Sequence, residues 1–241
     1  MTTIQTNLQA VQARIAAACL SVGRATGEVR LLAVSKTFGA QAVQEAFAAG
    51  QTAFGENYIQ EAVDKICRLR HLPLEWHCIG PVQSNKTRLV AENFDWVQTV
   101  DRLKIAQRLS EQRPVTLAPL QVCLQVNIDG GTTKSGVAPQ DALVLATQVA
   151  ALPRLRLRGL MCIPDIAINF AAECEVFARA RALFDALNRQ GLELDTLSMG
   201  MSADMASAIE SGSTMVRVGT AIFGSRSPVG SARAEDSPQA P

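Results

Sequence analysis

Short apolar runs alternate with stretches of helical spacing along almost the whole chain. Ile4, Leu8, Val11, Ile15 and Leu20 recur near the period of an α-helix, and the alanines at 16–18 favour it, so residues 3–22 are predicted to form an amphipathic helix that ends at Gly23 and Gly27. The next apolar run, 31–35, reads as a buried strand. From there the two patterns take turns. Strands are predicted at 52–54, 75–79, 95–100, 120–128 (the longest), 156–161, 196–199 and 215–218. Helices are predicted between them at 40–49, beyond Asn57 to about 70, at 84–92 and 101–112, from Pro139, at 171–190 and at 203–211, with Gly50 and Gly191 as stops.

Eight short strands, mostly apolar on both faces and never joined by hairpin signals, imply parallel pairing through helical crossovers. With the extra N-terminal helix they predict an α/β fold, a single (β/α)8 TIM barrel spanning residues 1–225. An open doubly wound sheet is the rival, and the missing G-x-G-x-x-G after the first strand speaks against it. Residues 226–241, with Ser, Pro, Ala and isolated charges, hold too few apolar side chains to fold and are expected to form a disordered tail.

Composition narrows the partners. Apolar residues make up 48% of the 241-residue chain, enough for a large core, and 23 Lys and Arg against 22 Asp and Glu leave a net charge of +1 with no basic block. Nucleic acid is therefore not expected as a partner. Six cysteines (Cys19, Cys67, Cys78, Cys123, Cys162 and Cys174) form no C-x-x-C pair and lie mostly in apolar segments, as structural thiols do, and no metal site is expected. The polar N-terminal stretch reads as neither a signal peptide nor a membrane span, and no later run has the length of one. The expectation is a monomer of the reducing cytoplasm.

In such a barrel, functional groups gather at the carboxyl ends of the strands, and phosphate commonly sits by the loops after the seventh and eighth. The unusual polar residues of this chain fall there. Lys36 follows the first strand; a solvated lysine is the default, but a desolvated amine there attacks carbonyls to make a Schiff base. Ser202, ahead of the helix at 203–211, can turn a hydroxyl and free amides on an anion, against the default of a helix cap without ligand, and Gly219 lets a backbone approach that anion. Arg217, a charge on an otherwise apolar strand, reads equally as a core ion pair or a ligand contact. His77, between Trp76 and Cys78, reads first as a hydrogen-bonded core histidine, Glu56 as an ordinary first-turn helix carboxylate, and Lys134 as a solvated loop lysine. An amine for a carbonyl and a cradle for a phosphate suit pyridoxal 5'-phosphate (PLP), which carries both partners on one ring. They suit equally an aldolase acting on a sugar phosphate.

Longer segments carry more. Ala33-Val34-Ser35-Lys36-Thr37, Phe54-Gly55-Glu56-Asn57-Tyr58, Trp76-His77-Cys78-Ile79-Gly80-Pro81, Lys134-Ser135-Gly136, Arg158-Gly159-Leu160-Met161, Ser198-Met199-Gly200-Met201-Ser202 and Met215-Val216-Arg217-Val218-Gly219-Thr220 resemble the corresponding stretches of the pyridoxal phosphate homeostasis protein family. That family is similar in fold to the barrel domain of alanine racemase (fold type III). The resemblance implies that Lys36 forms the Schiff base with the cofactor aldehyde, that Ser202 with the Gly219 and Thr220 backbone holds the phosphate, and that Arg217 faces the pyridine nitrogen. It also implies that Asn57 and His77 line the pocket and that Met199 belongs to the cofactor-binding set. A cationic arginine at the ring nitrogen disfavours its protonation and makes the ring a weaker electron sink. Family members often continue Lys-Thr-Lys-Pro after the strand, whereas this chain has Lys36-Thr37-Phe38-Gly39, so a role for a second lysine does not carry over. The function implied is a non-enzymatic carrier of PLP, exchanging it transiently with apo-enzymes. The alternative is a fold-type III racemase, which in the alanine racemase family needs a tyrosine from an additional β-domain; here the single tyrosine, Tyr58, belongs to the helix after the second strand.

Overall fold

The computed structural model describes residues 2–131, 134–165 and 167–224; the tail expected at 226–241 lies outside them. Eight strands, β1 (Arg30–Val34), β2 (Ala53–Glu56), β3 (Glu75–Cys78), β4 (Trp96–Val100), β5 (Leu120–Gln125), β6 (Leu155–Met161), β7 (Thr196–Ser198) and β8 (Met215–Val218), pair in chain order into a closed barrel. All the pairings are parallel, including the one between β1 and β8 that closes it. The helices are α1 (Thr3–Ser21), α2 (Ala40–Ala48), α3 (Ile59–Arg68), α4 (Thr87–Asn93), α5 (Leu103–Gln112), α6 (Ala142–Ala150), α7 (Phe170–Arg189), α8 (Met205–Glu210) and α9 (Thr220–Phe223). This is the TIM barrel with an added N-terminal helix that the alternating pattern predicts.

Element boundaries shift by one to three residues in several places, and the end of β5 shifts for a visible reason. β5 stops at Gln125 because Asn127 folds the chain into a turn, its side chain donating to the Gly131 carbonyl at 2.8 Å and accepting from the Gly130 amide at 3.1 Å. β6, with seven residues, is therefore longer than β5. After β8 the chain makes one further helical turn, α9, which the apolar pattern did not announce.

Helix α1 starts at Thr2, whose hydroxyl accepts from the Gln5 amide at 3.2 Å, and it buries Leu8, Val11, Ile15 and Cys19, spaced three and four apart on one face. That face packs on α8 and α9. Most of the core lies between the barrel and its helices. Inside the barrel, apolar clusters of Leu32, Val34, Ala53, Ile79 and Met215 and of Trp96, Cys123 and Met161 flank buried His77, Gln98, Ser198 and Arg217. The strands are thus not apolar on both faces throughout. Cys19, Cys78, Cys123 and Cys162 are buried, as structural thiols should be, whereas Cys67 is exposed and Cys174 half-buried. Burial pushes the thiols of Cys78, Cys123 and Cys162 up to about 12. Among the described residues no helix is long and apolar enough to cross a membrane, and no cluster of three or more His, Cys, Asp or Glu suits a metal ion.

Candidate functional site

Strand β1 delivers Lys36 to the carboxyl end of the barrel, and both of its neighbours are fixed. Ser35 is fully buried; its amide donates to the Gly55 carbonyl at 3.0 Å and its hydroxyl to Glu56 Oε1 at 2.6 Å. Thr37 has a φ of +69°, a left-handed conformation unusual for a β-branched residue, and its amide donates to Glu61 Oε1 at 2.9 Å. Between these anchors the Lys36 side chain reaches the wall of a cavity of about 380 Å³ and has no hydrogen-bond or ion-pair partner among the described residues.

Asn57, Ser202, Arg217, Gly219 and Thr220 share that wall with Lys36. Arg217 enters from β8, 4% exposed, with Nη1 donating to the carbonyl and the hydroxyl of Ser198 at 2.8 Å each and Nη2 to the Cys162 carbonyl at 2.9 Å. No carboxylate lies within ion-pair distance of it among the described residues, so the core ion pair gives way to a cation held by neutral acceptors and turned to the cavity. Burial lowers its pKa from the ordinary guanidinium value, which is high enough for the charge to persist.

The anion side is built from two loops. Ser202 lies in the turn before α8 and does not cap it; the helix begins three residues later, and the Met201 amide is taken by Asp204 Oδ1 at 2.6 Å. Gly219 precedes α9, whose first amides, those of Thr220 and Ala221, take no backbone acceptor among the described residues. A Cβ on Gly219 would stand 3.1 Å from the Val34 carbonyl, so glycine is what lets this loop lie against the end of β1. Helix α1 braces both loops: Asn7 Nδ2 donates to the Ile222 carbonyl at 3.0 Å and Arg14 Nη2 to the Ser202 carbonyl at 2.9 Å. Phe38 stacks on Phe223 with ring centroids 5.2 Å apart and ties the loop after Lys36 to α9. Asn57 follows β2, and its backbone is backed by Gly80, where a Cβ would collide with the Asn57 carbonyl. Its side-chain Oδ1 is buried without a partner.

Two expected residues do not reach the wall. Side chains alternate along a strand, so while Ser198 points into the barrel, Met199 is turned into the layer beneath the helices. His77 does point inward, but beneath the cavity, which is lined instead by Ile79, the residue that follows β3. It is a core histidine: Nε2 lies 2.7 Å from Glu75 Oε1, Nδ1 lies 2.9 Å from Gln98 Nε2, and the ring stacks on Trp96. Burial lowers its pKa and keeps it neutral, though Glu75 pulls the other way.

Glu56 is a buried strand residue, not a helix-start carboxylate, and it pairs at 2.6 Å with Lys65, which sequence reasoning passed over. Lys65 Nζ also donates to the Ser35 carbonyl at 2.9 Å, so this pair supports the residue before Lys36. Burial raises the pKa of Glu56, and the attraction of Lys65 offsets it only in part. Lys134 is not simply solvated; it bridges Asp129 and Asp165 at 2.8 Å each and joins the loops after β5 and β6. Gln98 and Ser198 were missed too, although Gln98 in Trp96-Val97-Gln98-Thr99-Val100 was a polar residue on the inward period of an apolar strand.

The alanine racemase N-terminal domain family matches residues 6–227 of the chain. A pyridoxal phosphate homeostasis protein of Pseudomonas aeruginosa is 59% identical over 226 residues, which cover 94% of this chain and 97% of that one. The chain belongs to the pyridoxal phosphate homeostasis protein family. A solved relative, PipY of Synechococcus elongatus with PLP bound, is similar with a TM-score of 0.77 at 40% identity, over 87% of this chain and 100% of that one. Alanine racemase of Clostridium difficile shares the fold alone, with a TM-score of 0.73 at 15% identity; 94% of this chain corresponds to 58% of the racemase. In this pyridoxal phosphate homeostasis family barrel, an amine, a buried guanidinium and a two-loop anion cradle therefore share one cavity.

Proposed function

We propose that the protein binds PLP in the cavity at the carboxyl end of the barrel and holds it as a carrier in PLP homeostasis. The observation that carries this reading is the meeting of Lys36, Arg217 and the Ser202 and Gly219–Thr220 loops on one wall. The residues fit the group: Asn57 Oδ1 is a buried acceptor without a partner, and the Thr220 and Ala221 amides are donors without one among the described residues. Lys36 would hold the aldehyde end, Ser202 with the Gly219 and Thr220 backbone the phosphate, and Arg217 the side of the ring nitrogen. When bound, the cofactor supplies an aldehyde that condenses with amines and a ring that draws electrons. A cation at Arg217 keeps a proton off the ring nitrogen and weakens that draw, which suits storage and exchange with apo-enzymes better than turnover. The relatives named as homeostasis proteins and the PLP-bound PipY support the reading.

The likeness to alanine racemase favours a second reading, an amino-acid racemase. Racemisation by two bases needs a proton carrier on each face of the substrate. Lys36 offers one; the single tyrosine, Tyr58, is 52% exposed at the start of α3 and is not on the cavity wall.

The test is the absorption spectrum of the PLP-loaded protein before and after borohydride, followed by peptide mass mapping. A visible band lost on reduction, with the pyridoxyl mass on Lys36 and absent from Lys36→Ala, is the expected result. A protein left unmodified by PLP and borohydride would remove the cofactor from the account. Loss of optical activity on incubation with single L-amino acids would replace the carrier with the racemase.

A further inference from the structure

A polar line crosses the interior of the barrel and ends on Arg217. It begins at Glu75, the first residue of β3, at the opposite mouth from the cavity. Burial would raise the Glu75 carboxyl, but the hydrogen bond from the His77 ring and the Arg30 guanidinium, 2.8 Å away, lower it below the ordinary carboxylate value, so it is ionised. An ionised carboxylate only accepts, so His77 Nε2 carries the ring proton and donates it across 2.7 Å. The neutral ring then leaves Nδ1 to accept from the Gln98 side-chain amide at 2.9 Å. Gln98 Oε1 accepts from the Ser198 hydroxyl at 2.7 Å, and Ser198 Oγ accepts from Arg217 Nη1 at 2.8 Å.

Along this line every dipole turns its negative end to Arg217 and its positive end to Glu75. Hydrogen bonds aligned in this way polarise and strengthen one another in the low-dielectric interior. The arrangement closes in one direction only. A proton on His77 Nδ1 would force Gln98 to turn its oxygen to the ring and its amide to Ser198, aiming two donors at one hydroxyl and leaving that hydroxyl's own proton without its acceptor. The guanidinium it serves touches no carboxylate among the described residues, so the nearest ionised group joined to it by unbroken hydrogen bonds is at the far mouth.

Building on the reading of the cavity as a PLP site, we propose that Glu75, His77, Gln98 and Ser198 are positioning residues for Arg217. They aim its guanidinium at the side of the cofactor's ring nitrogen and couple the cavity to Glu75 at the opposite end of the barrel.

The test uses the full-length protein with ¹⁵N-labelled histidine, without PLP and loaded with it. The chain has two histidines, and the exposed His71 is removed by His71→Asn to assign His77. Expected are a neutral Nε2–H tautomer, displacement of both His77 ring signals on loading, and loss of that response in Ser198→Ala. Glu75→Gln keeps an acceptor for His77 but removes the charge, and it is expected to weaken PLP binding in equilibrium dialysis about fivefold, the lower edge of ordinary coupling between sites. Should Ser198→Ala fail to fold, wild-type loading and the partly exposed Glu75 decide. Bound PLP with unmoved His77 signals, or wild-type affinity in Glu75→Gln, overturns the positioning line and leaves the cofactor site standing. A wild-type protein that retains no PLP overturns both.

Discussion

Two lysines flank the end of β1 and have opposite surroundings. Lys36 reaches a cavity wall, half-buried, with no partner among the described residues. Lys65, on α3, is 4% exposed and bonded to Glu56 Oε1, to the Ser35 carbonyl and, at 3.4 Å, to Glu61 Oε1. The difference shows what decides a lysine's role in this barrel. Lys65 is a charge enclosed with its counter-charge and serves structure; Lys36 is an amine that the backbone holds still while its nitrogen is left for a ligand. The two are joined, since Ser35 and Thr37, on either side of Lys36, are fixed by Glu56 and Glu61, the carboxylates that Lys65 touches.

The comparison breaks most visibly at Lys65. Lys65→Met leaves Glu56 buried without a cation, and removing one partner of such a pair is expected to destabilise by about 3–5 kcal/mol, read from urea unfolding. The double variant Lys65→Met/Glu56→Gln removes the orphaned charge and is expected to recover most of the loss. A double variant as unstable as the single one would mean that Lys65 acts through its packing alone.

Glu56 sharpens the comparison through pH. Burial holds its pKa above the ordinary 4.5, with Lys65 pulling it back only partly. A carboxyl whose pKa is raised by folding binds its proton more tightly in the native state, so its contribution is full below the unfolded value and is lost as pH rises through it to the folded one. The stability of the wild type relative to Glu56→Gln should therefore decline as pH rises through the ordinary carboxylate range and above it. A difference that stays flat across that range would show that Lys65 compensates the burial of Glu56 completely.

These contrasts also mark where the sequence stops being legible. The barrel was readable because short apolar runs and helical spacings alternate without hairpin signals, and Lys36 was readable because it stands where an apolar run ends. Lys65 was not. In Ile59-Gln60-Glu61-Ala62-Val63-Asp64-Lys65 it sits four residues after Glu61, a spacing that on any helix reads as a surface pair, and only packing shows that it faces Glu56. The residues around His77 predict a core histidine, and its bonds to Glu75 and Gln98 and its stacking on Trp96 are those of one. The resemblance implies a place on the pocket wall, whereas among the described residues His77 lies beneath the lining, since a motif gives a strand and not a depth along it. The period of two turns Met199 into the core layer once Ser198 faces inward, so it does not line the cavity. Gln98 and Ser198 acquire meaning only through residues far along the chain, so no local pattern could have joined them to Arg217.

The smallest stability effect is expected at Lys36 itself. Its side chain leaves no counter-charge behind when removed, and its neighbours keep their own anchors at Glu56 and Glu61. Lys36→Ala should therefore unfold within about 0.5 kcal/mol of the wild type, as substitutions without a buried partner do. Its effect should appear in the ligand: PLP is no longer fixed by borohydride, while weak, phosphate-dependent binding through Ser202 and the Gly219–Thr220 loop persists in dialysis. A Lys36→Ala protein destabilised as strongly as Lys65→Met would erase the distinction between the two lysines, because it would mean that the amine facing the cavity also holds the end of β1 in place.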